Sequence, residues 1–422
     1  MFGWEFPPFI SGGLGRACYG ICKGLAANKV KVFFVLPSKN IHYKENDIEL
    51  IGADEIYLSP KYRDMIKKRL PHFASKQGIN LQLSPYYTSK AAMEQFKHYF
   101  QGRFGKALTS IIGFSGNYGW DLFEQVLKYS ITGEILGFVL EHDIIHTHDW
   151  LTVLAGISAK RVSNKPLIVH IHATEIDRSG ENYNHNIYHL EKYGMEQADS
   201  VIAVSHYTKN IIIKHYGIDP HKIKVVHNAV SREKQLSCLG IKNNIDSKIV
   251  LFLGRVTMQK GPDYFIEAAN LVLQKVKNVH FVMAGSGDMM TRMITRMANL
   301  GIADRFHFTG FLSKIDVERM YAISDLYVMP SVSEPFGLTA CEALLYDVPI
   351  IISKQSGVLE ILKHAVSIDF WDVQKLAHTI IKILKNKKYA HSIIEKCKDD
   401  MKGVGWNNTG TKLKQIYESV LS

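Results

Sequence analysis

The chain has 422 residues, 46% of them hydrophobic and 22% charged, with a net charge of +11. That length exceeds one ordinary domain and suits two, each able to bury a core of its own. The Lys and Arg excess divides almost evenly between the halves, whereas a nucleic-acid binder gathers it on a stripe or arm, so nucleic acid is not an expected partner.

The chain opens with Met1 to Glu5, read as a short first strand, before Pro7-Pro8. Met1 to Ile10 lacks the basic region and apolar core of a secretion signal. Ser11-Gly12-Gly13-Leu14-Gly15 then leads into a helix read from Ala17 to Ala27. Glycines let backbone amides approach an anion without a Cβ in the way, and a helix N-terminus adds a favourable dipole. Phosphate binding and a tight strand-to-helix turn both fit Gly12 and Gly13, and the G-x-G-x-x-G spacing of dinucleotide-binding folds is missing. Of the five cysteines, Cys18 and Cys22 lie four apart and suit one helix face, while Cys238, Cys341 and Cys397 complete no even framework; reduced thiols and a cytoplasmic location are expected. Lys61 to Arg69 reads as a solvated helix face that leaves room for weak peripheral attraction to an anionic membrane. No apolar run reaches the roughly 18 residues of a membrane-spanning helix.

Val30 to Leu36, Asp143 to His146, Leu167 to His172, Ser200 to Val204 and Ile223 to His227 read as strands. Continuous apolar runs of this length suit parallel strands covered on both faces, and the amphipathic stretches between them, such as Asn210 to Tyr216, complete a doubly wound α/β pattern. His146-Thr147-His148-Asp149-Trp150 and His170-Ile171-His172-Ala173-Thr174-Glu175 stand at strand carboxyl ends. Each histidine pair is read as alternating, with at most one ring of each on a given face, and neither H-E-x-x-H nor C-x-x-C occurs, so no metal is expected. Contacts to a bound sugar and satisfied core histidines remain the two readings.

Ser231 to Ser247 is polar and reads as a linker, after which the pattern restarts. The second set of strands is Lys248 to Leu253, His280 to Ala284, Arg305 to Thr309, Leu326 to Met329 and Pro349 to Ile352. Arg255 and Lys260 fall in the loop before a helix at Asp263 to Val276, where a guanidinium fork and an ammonium point charge can neutralise a diphosphate. Two solvated loop cations are the plain alternative. Pro330 to Glu342 (PSVSEPFGLTACE) places Glu334 before a helix that begins near Leu338, and Glu342 within it. Amides around Phe336, Gly337 and Leu338 would point from that helix N-terminus into a cleft. A carboxylate accepts a diol readily, so Glu334 suits a hexose and Glu342 a ribose; a helix-start acid and a solvated helix glutamate are the alternative.

With these motifs in this order, the chain resembles the retaining GT-B glycosyltransferases of the family 4 kind, near the group that includes bacterial glycogen and starch synthase-like enzymes. The likeness rests on Trp4 to Pro8, Ser11 to Gly15, Thr147 to Trp150, His172 to Glu175, Gly254-Arg255 with Lys260-Gly261, Ala284 to Gly287, and the E-x7-E of Glu334 and Glu342. It implies two Rossmann-like domains facing a cleft, residues 1–235 on the acceptor side and 236–402 on the nucleotide-sugar side. The segment 403–422, from Trp406 to Leu421, would be a helix crossing back onto the first domain. It also implies that Gly12, Gly13, Arg255 and Lys260 face the donor phosphates, that His172 lies beside the transferred sugar, that Glu334 holds its hydroxyls, that Glu342 holds the ribose, and that Asp149 lies near donor sugar or acceptor. Two positions depart from the bacterial glycogen synthases: Ile10-Ser11 replaces their usual Lys-Thr, and the second glutamate is present.

The expected reaction is metal-independent transfer of glucose from ADP-glucose or UDP-glucose to an α-1,4-glucan, with retention and no cofactor beyond the donor. Synthesis of a cell-surface polysaccharide or glycolipid, a phosphorylase with lysine-bound pyridoxal phosphate, and a non-catalytic sugar-nucleotide binder are the alternatives. Oligomeric state is left open.

Overall fold

A computed structural model describes residues 1–7, 12–38, 44–45, 47–54, 122–230 and 247–422. Lys61 to Arg69, Pro8 to Ser11, Cys238 and all of the polar linker but Ser247 lie outside the described residues. The apolar runs become two separate sheets of almost wholly parallel strands. The first holds β1 (Val32–Leu36), β2 (Lys44–Glu45), β3 (Ile48–Gly52), β4 (Ile145–His148), β5 (Leu167–Ile171), β6 (Ser200–Ala203) and β7 (Ile223–Val225). Its strands pair in two groups, β1-β3-β2 and β4-β5-β6-β7, and only β2 runs antiparallel to its neighbour.

Phe2 joins the groups. It bridges Val35 on one side and Thr147 on the other, both parallel, and its N–H donates to the His146 carbonyl at 2.8 Å. The expected first strand is thus a bridge centred on one residue, and the chain turns at Pro7. The helix that follows, α1 (Gly13–Ala27), starts four residues earlier than the sequence suggests, so the paired glycines are its N-cap and first turn. Likewise β4 ends at His148 rather than His146, which carries both histidines into the sheet.

The second sheet contains β8 (Lys248–Leu253), β9 (Val279–Ala284), β10 (Phe306–Gly310), β11 (Leu326–Met329), β12 (Ile350–Ser353) and β13 (Val366–Ile368). The order is β10-β9-β8-β11-β12-β13, parallel throughout. The order reverses between β8 and β11, and open α/β sheets form their ligand crevice at such a reversal, beyond the strands' carboxyl ends. The helices that position the site are α2 (Trp150–Ser163), α3 (Glu175–Ser179), α4 (Pro262–Lys275), α5 (Leu338–Leu345) and α6 (Trp406–Leu421). No helix among the described residues is long and apolar enough to cross a membrane.

Each sheet has its own core: Trp4, Tyr129, Val153 and Val169 in the first, Phe252, Phe265, Phe281 and Ile351 in the second. A third cluster lies under α1, where Ile21, Cys22 and Phe34 meet Leu413 and Tyr417 of the terminal helix. Each such side chain, fully buried, stabilises the fold by about 1.5–3 kcal/mol relative to exposure. The terminal helix therefore packs on the N-terminal sheet although it follows the C-terminal one. Gly24 and Gly410 make this approach possible: a Cβ on Gly24 would strike the Trp406 carbonyl, and one on Gly410 the Gly24 carbonyl. Gly410→Ala should cost about 1–3 kcal/mol in urea unfolding. Gly405→Ala, where a Cβ meets open space, should cost under about 1 kcal/mol through its N-cap position alone. Equal losses would contradict this packing.

Candidate active site

A cleft of about 900 Å³ opens beyond the carboxyl ends of both sheets, and Gly12, Gly13, Asp149, His172, Arg255, Lys260, Glu334, Phe336, Gly337, Leu338 and Glu342 line it. On the C-terminal side, the loop after β8 carries Arg255 and Lys260, and the loop after β11 carries Glu334. The carbonyl of Gln259 accepts the amide of Val332 at 2.9 Å, clamping one loop to the other. Lys260 Nζ then reaches Glu334 Oε2 at 2.6 Å, and the Ser331 hydroxyl donates to the same oxygen at 3.2 Å. Glu334 is 6% exposed, so water screens this pair little. Arg255 donates to the Gln259 side chain at 3.1 Å and is itself exposed. Two cations thus stand at the β8 end, one of them already on the carboxylate expected to hold a sugar.

Gly337 is the N-cap of α5 with φ +108°, and a Cβ there would meet Met329 at 2.9 Å and Glu334 at 3.4 Å. The position therefore excludes side chains on two grounds. Phe336 is buried and its carbonyl accepts the Val358 amide at 2.7 Å, so it shapes the turn, while Leu338 opens the helix. No side chain caps α5, nor α1 opposite, where a Cβ on Gly12 would meet nothing within 4 Å and one on Gly13 only Leu338 Cδ1 at 4.0 Å. Two uncapped helix N-termini face each other, which suits an anion between them.

Asp149, the N-cap of α2, has φ +56°, a conformation that costs a non-glycine residue about 1–3 kcal/mol. It holds the carboxylate where Oδ1 accepts the His172 amide at 2.6 Å and the Ala173 amide at 3.4 Å. Arg178 supports it from 3.7 Å while bonding Glu191 at 3.0 Å and the Ala173 carbonyl at 2.7 Å. Burial pushes the Glu191 carboxyl up to about 7, against the pull of Arg178.

The profile described as "Glycosyl transferases group 1" matches residues 240–400, and "Glycosyltransferase Family 4" matches residues 123–234. An uncharacterized glycosyltransferase of Methanocaldococcus jannaschii is 28% identical over 441 residues, with 99% of this chain and 97% of that protein covered. Residues 123–234 thus match a family 4 glycosyltransferase domain and residues 240–400 a group 1 glycosyltransferase domain. An Escherichia coli UDP-Gal:alpha-D-GlcNAc-diphosphoundecaprenol alpha-1,3-galactosyltransferase is 26% identical over 265 residues, covering 58% of this chain and 67% of that protein. Among solved structures, sucrose-phosphate synthase from Thermosynechococcus elongatus matches with a TM-score of 0.72 at 17% identity, covering 99% and 98% of the two chains. HepE of Anabaena in complex with UDP and glucose matches with a TM-score of 0.65 at 17% identity, covering 97% and 98%. The fold is GT-B, and the protein is a glycosyltransferase.

The histidines of this glycosyltransferase correct one expectation. Positions i and i+2 of a strand share a face, so His146 and His148 stack at 4.6 Å and His170 and His172 at 4.4 Å, all four on one side of the sheet. They do converge: ligand atoms of His146, His148 and His170 lie within 4.8 Å of one another, as do those of Cys18, His148 and His172. In the structure they bond each other, His146 Nε2 to His170 Nδ1 at 3.2 Å and His148 Nδ1 to His172 Nε2 at 3.0 Å, with the Tyr417 hydroxyl on His146 Nδ1 at 2.5 Å. Only His172 reaches the cleft.

Several lining residues of the glycosyltransferase carry no motif. Arg16, Arg178 and Asn228 line the cleft, and Asn228 Oδ1 is buried without a partner. Phe311, just past the end of β10, stands at the cleft 64% exposed.

Burial holds the His146, His148 and His170 rings well below their usual protonation range, and the neighbouring histidines lower them further. The folded protein leaves them neutral while the unfolded chain protonates them near pH 6.5, so stability falls as pH drops through that value. Each contributes a slope of about 1.4 kcal/mol per pH unit, and Glu191, raised toward 7, opposes with one such slope. Stability measured by urea unfolding should therefore fall as pH drops from 6.5 to 5. A flat profile would contradict the neutral stack.

Proposed function

We propose that this glycosyltransferase moves a hexose, glucose foremost, from ADP-glucose or UDP-glucose to an α-1,4-glucan with retention, in the manner of a glycogen synthase. What carries the reading is the Arg255 and Lys260 pair at the β8 end, with Lys260 on Glu334, in the cleft that two uncapped helix N-termini also line. HepE, the Anabaena neighbour, is described with UDP and glucose bound, in keeping with a nucleotide-sugar donor. Free, buried cysteines at 18, 22, 341 and 397 accord with a cytoplasmic setting.

In the proposed step the acceptor hydroxyl approaches the anomeric carbon from the face the diphosphate leaves. The new C–O bond forms as the old one breaks, and the acceptor proton passes to the departing phosphate oxygen. Arg255 and Lys260 stabilise the charge that develops there, each by about 3 kcal/mol, without a metal ion or other cofactor. Lys260 has three N–H donors, and Glu334 engages one of them, so the others can serve phosphate. Glu334 would hold the sugar hydroxyls, and His172 would border the sugar beside Asp149 and the acceptor. The ribose would fall to Glu342.

A second acceptor class has one observation in its favour: the Escherichia coli relative is named for a diphosphoundecaprenol-linked acceptor. Released nucleotide, measured over ADP-, UDP- and GDP-sugars with maltooligosaccharides or lipid-linked sugars, separates the two. Acceptor-dependent release with maltooligosaccharides supports the glucan. Release only with lipid-linked acceptors transfers the proposal to them, and none with any pair contradicts both acceptor classes. Arg255→Ala should lose about 100-fold in kcat, and excess EDTA should change the wild-type rate less than about twofold. An unchanged Arg255→Ala rate would remove that residue from the site.

A further inference from the structure

A cation in the first turn of a helix opposes the helix dipole, which favours anions there. Arg16 stands near the start of α1, whose first turn contains no acid and whose N-cap, Gly12, supplies no side chain to offset it. Its partner lies across the cleft. Arg16 Nη1 donates to Glu342 Oε1 at 2.8 Å, and the Tyr321 hydroxyl donates to Glu342 Oε2 at 3.1 Å. The Arg16 and Glu342 side chains are 31% and 19% exposed, so the pair is partly sheltered from solvent screening. It links the first helix of the N-terminal half to α5 of the C-terminal half, and both residues line the cleft.

We propose that Arg16 is a donor-positioning residue that, through Glu342, fits the cleft to a ribonucleotide and sets the enzyme's preference for ribose over deoxyribose. The inference rests on the reading that Glu342 receives the ribose. A carboxylate offers about four lone-pair sites. Arg16 and Tyr321 take one on each oxygen, which leaves one on each for the two hydroxyls of a cis-diol. The carboxylate then cannot swing away from the diol without giving up a cross-cleft ion pair. Binding the nucleotide and holding the two domains together become the same contact.

The test compares a donor with its 2′-deoxyribose counterpart on wild type, Arg16→Ala, Arg16→Lys and Glu342→Ala. Wild type should prefer the ribose donor by about tenfold or more in kcat/KM, the worth of one charge-assisted hydrogen bond. Arg16→Ala should raise donor KM about tenfold with kcat within about threefold, and shrink the ribose preference below about threefold. Arg16→Lys should recover part of the preference. A preference that survives Arg16→Ala but is lost in Glu342→Ala overturns the role of Arg16 and leaves the ribose reading of Glu342 standing. A preference that survives Glu342→Ala, or is absent in wild type, overturns that reading and this inference with it. Should Arg16→Ala fail to fold, Arg16→Gln carries the same comparison.

Discussion

Lys260 and Glu334 sit 74 residues apart in sequence, and their 2.6 Å contact holds together the two loops at the reversal of the C-terminal sheet. Without it a 6% exposed carboxylate would lack its counter-charge, and a buried charge without a partner is costly. The contact exists because of backbone choices on each side. Gly261, with φ +68°, lets the β8 loop close before Pro262 begins α4, and Gly337, with φ +108°, lets the β11 loop enter α5 past Met329. Arg255, the uncapped start of α5 and the cleft itself follow from where these loops stop.

The same stretch also faces the other domain. Ser333, next to Glu334, donates to Asp177 of α3 at 2.6 Å, and the Pro335 carbonyl accepts the Ser205 hydroxyl at 2.6 Å. Nearby, Glu360 accepts the amides of His206 and Tyr207 at 2.8 Å each and lies 2.7 Å from His227 Nε2. If this loop grips the donor as proposed, its bonds to the opposite domain would couple occupancy of the cleft to the arrangement of its walls. The N-terminal wall answers with its own constrained residue, Asp149, whose positive φ aims its carboxylate at the amides that follow β5.

Much of this was legible before any coordinates. Ile249 to Leu253 and Leu326 to Met329 are continuous apolar runs, so they read as buried parallel strands, and all but Leu253 are buried. The loops after them carry charge and glycine where a cleft needs both. Local pattern is silent where pairing is remote. Arg16 and Glu342 are 326 residues apart, and nothing short-range links them. The two histidines of each segment share a face instead of alternating, because a spacing of two in a strand puts side chains on one side. The first strand is short because only Met1 to Gly3 bond its neighbours, Val35 on one side and His146 and His148 on the other.

The central claim is a division of labour within 331–342, with Glu334 on the sugar and the rest on the nucleotide. Calorimetric binding of a nucleoside diphosphate and of its glucose conjugate to wild type and to Glu334→Gln tests it most directly. The account predicts that the substitution weakens the sugar conjugate about tenfold or more and leaves the bare diphosphate within about threefold. An equal loss for both ligands would contradict it.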